Sequence, residues 1–210
     1  MIKKNLKLLI LTSIIILLPI LAGVILWDTL PEQIPTHWNA AGEVDGWSSK
    51  AFAVFGLPCL MLGIQWLCVL GTAADPKKAN HPEKILHLVF WIIPVISVGL
   101  FVVTYVAALG TEVRMEMIMP LLVGFVLTVV GNYLPKCKQS YTIGIKIPWT
   151  LNSKENWNRT HRLAGRLWVV CGIGIMLTAF VGGFWLFLPL VLVMVLAPCV
   201  YSYILYRKGI

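Results

Sequence analysis

The chain has 210 residues, of which 59% are hydrophobic and only 12% charged, with a mean hydropathy of +0.84. Soluble domains carry about 25% charged residues, so this composition excludes an ordinary soluble globular fold and makes the bilayer the main solvent. The formal charge of +8 invites a nucleic-acid reading, but the basic residues cluster beside apolar runs, where they serve membrane topology.

Six apolar runs predict spanning helices: Leu6–Trp27, Ala51–Thr72, Leu86–Leu109, Met117–Leu134, Leu163–Gly183 and Phe184–Tyr206. Each approaches the ~20 residues that cross a hydrocarbon core. Helices are expected because backbone polar groups must be satisfied internally there. Lys3, Lys4 and Lys7 precede the first run as in a secretory signal. That run is long, however, ends at Trp27 and is followed by no small-residue cleavage site, so it reads as an uncleaved helix. Pro19, Pro58, Pro94, Pro120, Pro189 and Pro198 fall in or near five of the six spans and predict kinks rather than a substrate path. The spans hold few ionisable groups, which weighs against a proton-coupled transporter or a charge-lined channel.

Between the first two spans lies Asp28–Lys50. Pro31 and Pro35 favour an extended approach, and Asn39–Gly42 reads as a turn, so a hairpin-like cap is expected. Trp38 and Trp47 suit the headgroup level, where an indole buries its ring and keeps its N–H wet. His37 and Asp45 lack any metal-ligand or acid–base spacing. The expectation is that His37, Asn39 and Asp45 hydrogen-bond the loop's own backbone, as such residues do in turns.

Fifteen of the seventeen Lys and Arg residues fall at the termini, in the second and fourth connections or at the span ends beside them, leaving Lys50 and Arg114 on the other side. The positive-inside rule therefore predicts cytoplasmic N- and C-termini. Cys59, Cys68, Cys171 and Cys199 lie in spans and Cys137 on the reducing side, which argues for hydrophobic filler rather than disulfides. His81 and His87 carry no standard metal spacing and are assigned no role; no cofactor is expected.

The fourth connection, on the predicted cytoplasmic side, carries far more chemistry than a link between spans needs. Tyr141–Gly165 holds Lys146, Lys154, Arg159, Arg162, His161, Trp149 and Trp157. Tyr141–Ile147 predicts a short extended segment interrupted by Pro148. Asn152 with Glu155 three residues on resembles a capping box for a helix that starts near Ser153 and runs into the fifth span. At about 100° per residue, Trp157, His161, Ala164 and Trp168 share a stripe, while Arg159, Arg162 and Arg166 fall nearly opposite. The basic stripe suits either anionic lipid headgroups or an acidic protein surface.

Together the two loops carry a more specific pattern. LPEQIPTHWNAAGEVDGWSSK and YTIGIKIPWTLNSKENWNRTHRLAG resemble the two signatures of the SdpI family, in order and with its six-span layout. The resemblance implies an all-α integral membrane protein: a six-helix transmembrane bundle with a short outer cap loop and a longer cytoplasmic loop between spans four and five. It implies a single membrane domain, with a four-span region 1–134 containing the outer loop 28–50, followed by the cytoplasmic signature loop and two-span hairpin of 135–210.

Functionally it implies a multi-pass immunity protein of the bacterial plasma membrane, protecting against a secreted membrane-active peptide toxin and not acting as an enzyme. It also implies a receptor role, in which toxin-bound protein holds a cytoplasmic helix-turn-helix autorepressor at the membrane. The outer, toxin-sensing residues would be His37, Trp38, Asn39, Gly42, Asp45, Gly46 and Trp47. The cytoplasmic signalling residues it implies would be Gly144, Pro148, Trp149, Thr150, Leu151, Trp157, Thr160, His161 and Gly165, joined by Lys146, Arg159 and Arg162 from the basic-surface reading. Two alternatives are a small-molecule or peptide exporter, which needs an energy source the ion-poor spans do not reveal, and an intramembrane enzyme using His37 or His161.

Overall fold

The structure is a computed structural model that describes residues 2–39, 41–80, 82–182 and 184–210. Ala40 in the expected turn, His81 and the expected span end at Gly183 lie outside the described residues. Among the described residues, six helices are long and apolar enough to cross a membrane. They are α1 (Leu6–Ile25), α2 (Leu57–Ala74), α3 (Glu83–Ala108), α4 (Met115–Tyr133), α6 (Lys154–Val181) and α7 (Phe187–Arg207); α5 (Pro148–Asn152) is a single short turn in the fourth connection. The strands β1 (Gln33–Trp38) and β2 (Val44–Ser49) form the one sheet among the described residues. The fold is therefore all-α and of integral-membrane type, as the hydropathy pattern predicts.

A π turn, Phe52–Gly56, leads into α2, and the Leu57 N–H bonds the Phe52 carbonyl. Pro58 follows at once and has no N–H to give, which is where such a widened turn is tolerated.

The chain divides into two compact units. The first, Met1–Leu70 with Val89–Glu116, holds α1, the hairpin and most of α2 and α3. Its core joins Leu30 and Ile34 from the first loop to Ala53, Val54, Phe101 and Tyr105. Gly23 permits this packing, because a Cβ there would lie 2.7 Å from both the Tyr105 hydroxyl and Val54 Cγ1. The Tyr105 hydroxyl donates to the Pro19 carbonyl at 2.9 Å. Buried Gln65 donates to Thr12 Oγ1 at 2.9 Å and to the Phe90 carbonyl at 3.1 Å, a polar tie in an apolar setting where partners are scarce.

The second unit, Gly71–Leu88 with Met117–Ile210, is organised by glycines seven residues apart on two facing helices. A Cβ on Gly124 or Gly131 of α4 would lie within 3 Å of backbone atoms of α6, and one on Gly172 would lie 2.5 Å from Thr128 Oγ1. A Cβ on Gly165 would strike Pro135 at 2.6 Å. Small residues let spanning helices approach backbone to backbone, where dispersion substitutes for a hydrophobic drive that lipid does not provide. Cys171, Ile175 and Met194 form the core between α6 and α7.

Candidate functional site

Helix α6 starts at Lys154 because Ser153 is extended (φ −132°, ψ 122°) and its Oγ accepts the Asn156 N–H at 3.2 Å. The expected Asn152–Glu155 capping box is thus corrected. Asn152 closes α5, and the Glu155 carboxylate turns outward to Arg159 Nε at 2.5 Å.

The first turns of α6 are two-faced. Asn156, Trp157, Thr160, His161, Ala164 and Gly165 are buried, whereas Lys154, Arg159, Arg162 and Arg166 are exposed. The Trp157 and His161 rings, one turn apart, stack at 4.0 Å with an angle of 19°. Trp157 Nε1 donates to the Cys137 carbonyl at 2.8 Å. His161 Nδ1 lies 2.8 Å from the Trp157 carbonyl, which can only accept, while Nε2 accepts the Ile145 N–H at 2.9 Å. These partners assign the proton to Nδ1 and a neutral imidazole with both nitrogens engaged. His161 is therefore a buried strut for the loop, with no lone pair left for a metal or a proton transfer.

The loop closes over this pair. Gly144 has φ +116°, and a Cβ there would lie 2.6 Å from His161 Nε2 and 2.8 Å from the Trp157 ring, so both conformation and space demand glycine. The expected extended segment 141–147 forms no strand; the N–H groups of Tyr141, Thr142, Ile143, Ile145 and Ile147 go to side chains instead. Pro148 opens α5, where its missing N–H costs nothing. Thr150 Oγ1 accepts the Ile147 N–H at 3.1 Å and lies 2.7 Å from the Ile145 carbonyl. Trp149 packs on Tyr203 and Tyr206 of α7, with ring centroids 5.1 and 6.2 Å away. Gln139 Nε2 donates to the Thr150 and Leu151 carbonyls at 2.9 and 2.7 Å, satisfying helix-end acceptors that have no partner within α5. Buried Asn156 donates to the Ser202 carbonyl at 2.9 Å and accepts from Ser202 Oγ at 2.6 Å, tying α6 to α7.

One residue central to this clasp is absent from the sequence reading. Asp75, 2% exposed, accepts through Oδ2 from the Tyr141 N–H (3.0 Å), the Thr142 N–H (3.0 Å) and the Thr142 hydroxyl (2.7 Å). Its Oδ1 accepts the Lys77 N–H at 2.7 Å. Burial pushes its carboxyl up, but the Thr142 hydroxyl and the backbone N–H groups of Lys77, Tyr141 and Thr142 outweigh burial and hold it below the usual range. The available signal was an Asp-Pro pair at the end of an apolar run, which marks a turn but not its distant partner. Cys137 is also enclosed here, and burial pushes its thiol up to about 11, so it is no thiolate nucleophile at neutral pH.

Of the remaining residues expected in this loop, Lys146, Arg159 and Arg162 point outward. Lys146 Nζ donates to the Thr142 carbonyl at 3.2 Å, and Arg162 Nε lies 3.4 Å from the Asn158 carbonyl. The basic groups thus form the exposed surface, over a frame of buried aromatic and amide groups.

The first loop is an antiparallel hairpin pairing Gln33 with Ser49 and Trp38 with Val44, with register shifts on either side of His37. Asn39 Oδ1 accepts the Ala41 and Glu43 N–H groups at 2.9 and 3.1 Å, the turn role expected of it. Gly42 has φ +82° and completes the reversal. His37 Nδ1 meets Asp45 Oδ1 at 2.5 Å, with the two side chains 71% and 44% exposed; a Cβ on Gly46 would strike His37 Cβ at 2.7 Å. Lys50 is nearly enclosed, reaching Glu32 at 3.0 Å and the Trp27 carbonyl at 3.2 Å.

Six spanning-length helices with two built connections, a hairpin in the first and a clasp around Trp157 and His161 in the fourth, define a multi-pass α-helical membrane protein. Residues 14–62 match a domain of unknown function, DUF1648, and residues 136–202 match the SdpI/YfhL protein family. The chain is 31% identical over 209 residues to "Immunity protein SdpI" of Bacillus subtilis (strain 168), an alignment covering 98% of this chain and 97% of that one. This chain belongs to the SdpI family. No solved structure matches it.

Proposed function

We propose that this protein is an immunity protein of the bacterial plasma membrane that protects its cell from a secreted, membrane-active peptide toxin. The observation that carries the reading is the near full-length similarity to an immunity protein. The skew of basic residues toward the termini and the second and fourth connections supports cytoplasmic termini. The hairpin then faces outward, where a secreted toxin arrives, and the clasp faces the cytoplasm.

Protection is non-catalytic in this reading: the two nitrogens of His161 are engaged within the fold, and His37 pairs with Asp45 on the exposed hairpin. The exposed Lys146, Arg159 and Arg162 surface holds a cytoplasmic helix-turn-helix autorepressor when toxin is bound. Such coupling needs a ligand that prefers one of two states, since equal affinity for both shifts nothing.

The test is expression of the full chain in a strain killed by a neighbouring producer's secreted peptide. Survival at toxin doses that kill cells carrying an empty vector is expected. Equal killing of both strains at matched membrane expression rejects immunity.

A further inference from the structure

The first unit contains a cavity of about 400 Å³ between the hairpin and the connection from α3 to α4. Its walls include Pro35, Trp38, Val44 and Trp47 from the strands and Glu112 from the connection. In a regular strand, positions 35 and 38 point to opposite faces. The register shifts around His37 bring both to this groove, which is what bulges do when they re-aim a side chain. The other side of the hairpin is committed to the core through Ile34, so the groove face is left to something else.

The polar groups at the groove are conspicuously unused. The Glu112 carboxylate makes no hydrogen bond or ion pair among the described residues, and neither does the indole N–H of Trp38 or of Trp47. Trp47 stands 57% exposed. The two cations of the same unit's loops are already taken, Lys50 by Glu32 and Arg114 by Glu116. Against these two stand six carboxylates, at Asp28, Glu32, Glu43, Asp45, Glu112 and Glu116. The loops of this unit therefore carry net negative charge, and Glu112 is the carboxylate at the groove itself, which favours a cationic over an anionic occupant. Two indole faces beside an unpaired carboxylate suit a cation that carries an apolar stem.

We infer that this groove receives a lysine or arginine side chain of an amphipathic peptide, its stem against Pro35 and Val44 and its charge between Trp38, Trp47 and Glu112. The inference rests on the immunity reading and gives the chemistry by which the toxin is recognised.

The test uses the full chain in a neutral maltoside micelle and a fluorescein-labelled amphipathic leucine–lysine peptide, with a control peptide in which every lysine is glutamine. At low salt the lysine peptide is expected to bind, and the glutamine peptide to bind at least tenfold more weakly. Glu112→Gln and Trp47→Ala should each weaken the lysine peptide about tenfold. Asp28→Asn, which removes an equal charge outside the groove, should change its affinity less than twofold. Both groove positions are exposed, and an unchanged melting temperature checks that the variants fold.

Equal loss in Glu112→Gln and Asp28→Asn reduces the effect to bulk charge and overturns the proposal. So do equal binding of the two peptides, which makes the tryptophans a lipid seat, and failure of the wild-type chain to bind the lysine peptide. A parallel survival assay separates the two readings. Protection by wild type and equally by Glu112→Gln rejects the groove alone, whereas no protection by wild type rejects immunity whatever the peptide does.

Discussion

Asp75 and Thr142 are joined twice: one carboxylate oxygen takes both the N–H of Thr142, at 3.0 Å, and its hydroxyl, at 2.7 Å. The same oxygen takes the Tyr141 N–H, so one acidic side chain satisfies a stretch of loop backbone that has no ladder or helix of its own. Hydrogen bonds to a charged acceptor contribute about 1.5–3 kcal/mol each, and donors left buried without a partner cost about 1–3 kcal/mol. Asp75→Ala is expected to lower stability by roughly 2–4 kcal/mol on that basis and to speed hydrogen exchange at the Tyr141 and Thr142 amides. Asp75→Asn, whose oxygen still accepts, should lie between. Wild-type exchange in Asp75→Ala would mean that the clasp stands without it.

The same residue sets an acid limit. Its folded carboxyl titrates below its ordinary value of 3.8, so the unfolded chain binds the proton more readily. The stabilisation is then fully present above the ordinary value and is lost as pH falls through the lower, folded one. Protection factors at Tyr141 and Thr142 should be flat down to about pH 5 and fall only below 3.8. Asp75→Asn should show no such step. A midpoint above 3.8 in the wild-type chain contradicts the hydrogen-bond account.

His161 and Arg159 lie two residues apart and should behave oppositely. His161→Ala removes the acceptor of the Ile145 N–H and the ring stacked on Trp157, an expected loss of about 2–4 kcal/mol. Arg159→Ala breaks a half-exposed i,i+4 pair with Glu155, which contributes about 0.5 kcal/mol or less. Thermal melts of the two variants in one detergent decide the matter, and similar shifts would reject the division into a buried and an exposed face.

Glycine substitutions on α6 should separate packing from propensity. Gly172→Val places atoms where a Cβ already meets Thr128 Oγ1 at 2.5 Å and Gly124 O at 2.9 Å, whereas at Gly174 the nearest contact is Leu190 at 3.4 Å. The first variant is expected to fail to fold or to lose more than about 3 kcal/mol. Gly174→Ala should be neutral or slightly stabilising. Detergent-extractable yield and melting temperature read both, and a well-folded Gly172→Val would refute the close α4–α6 crossing.

Charge reversal tests the outward basic surface apart from the frame beneath it. Under the proposed receptor role, Arg159→Glu with Arg162→Glu should abolish recruitment of the proposed repressor to the membrane while leaving survival under toxin unchanged. Recruitment that persists returns these arginines to lipid contact.

Composition and periodicity alone determined the six spans, since 20-residue apolar runs have one economical solution in hydrocarbon. They also determined the division of α6, because 3.6-residue spacing places Trp157 with His161 and both opposite Arg159 and Arg162 whatever packs around them. The turn chemistry of Asn39 and Gly42 was local enough to read in the same way. Three things only the tertiary structure decided. Asp75 meets Thr142 across 67 positions, a distance over which no local rule operates. The Gly124–Gly172 contact depends on which two helices face each other, and glycine in a span has several other uses. The register shifts around His37 brought Trp38 and Pro35 to the lining of one groove, where the alternation of a regular strand would have placed the two residues on opposite faces.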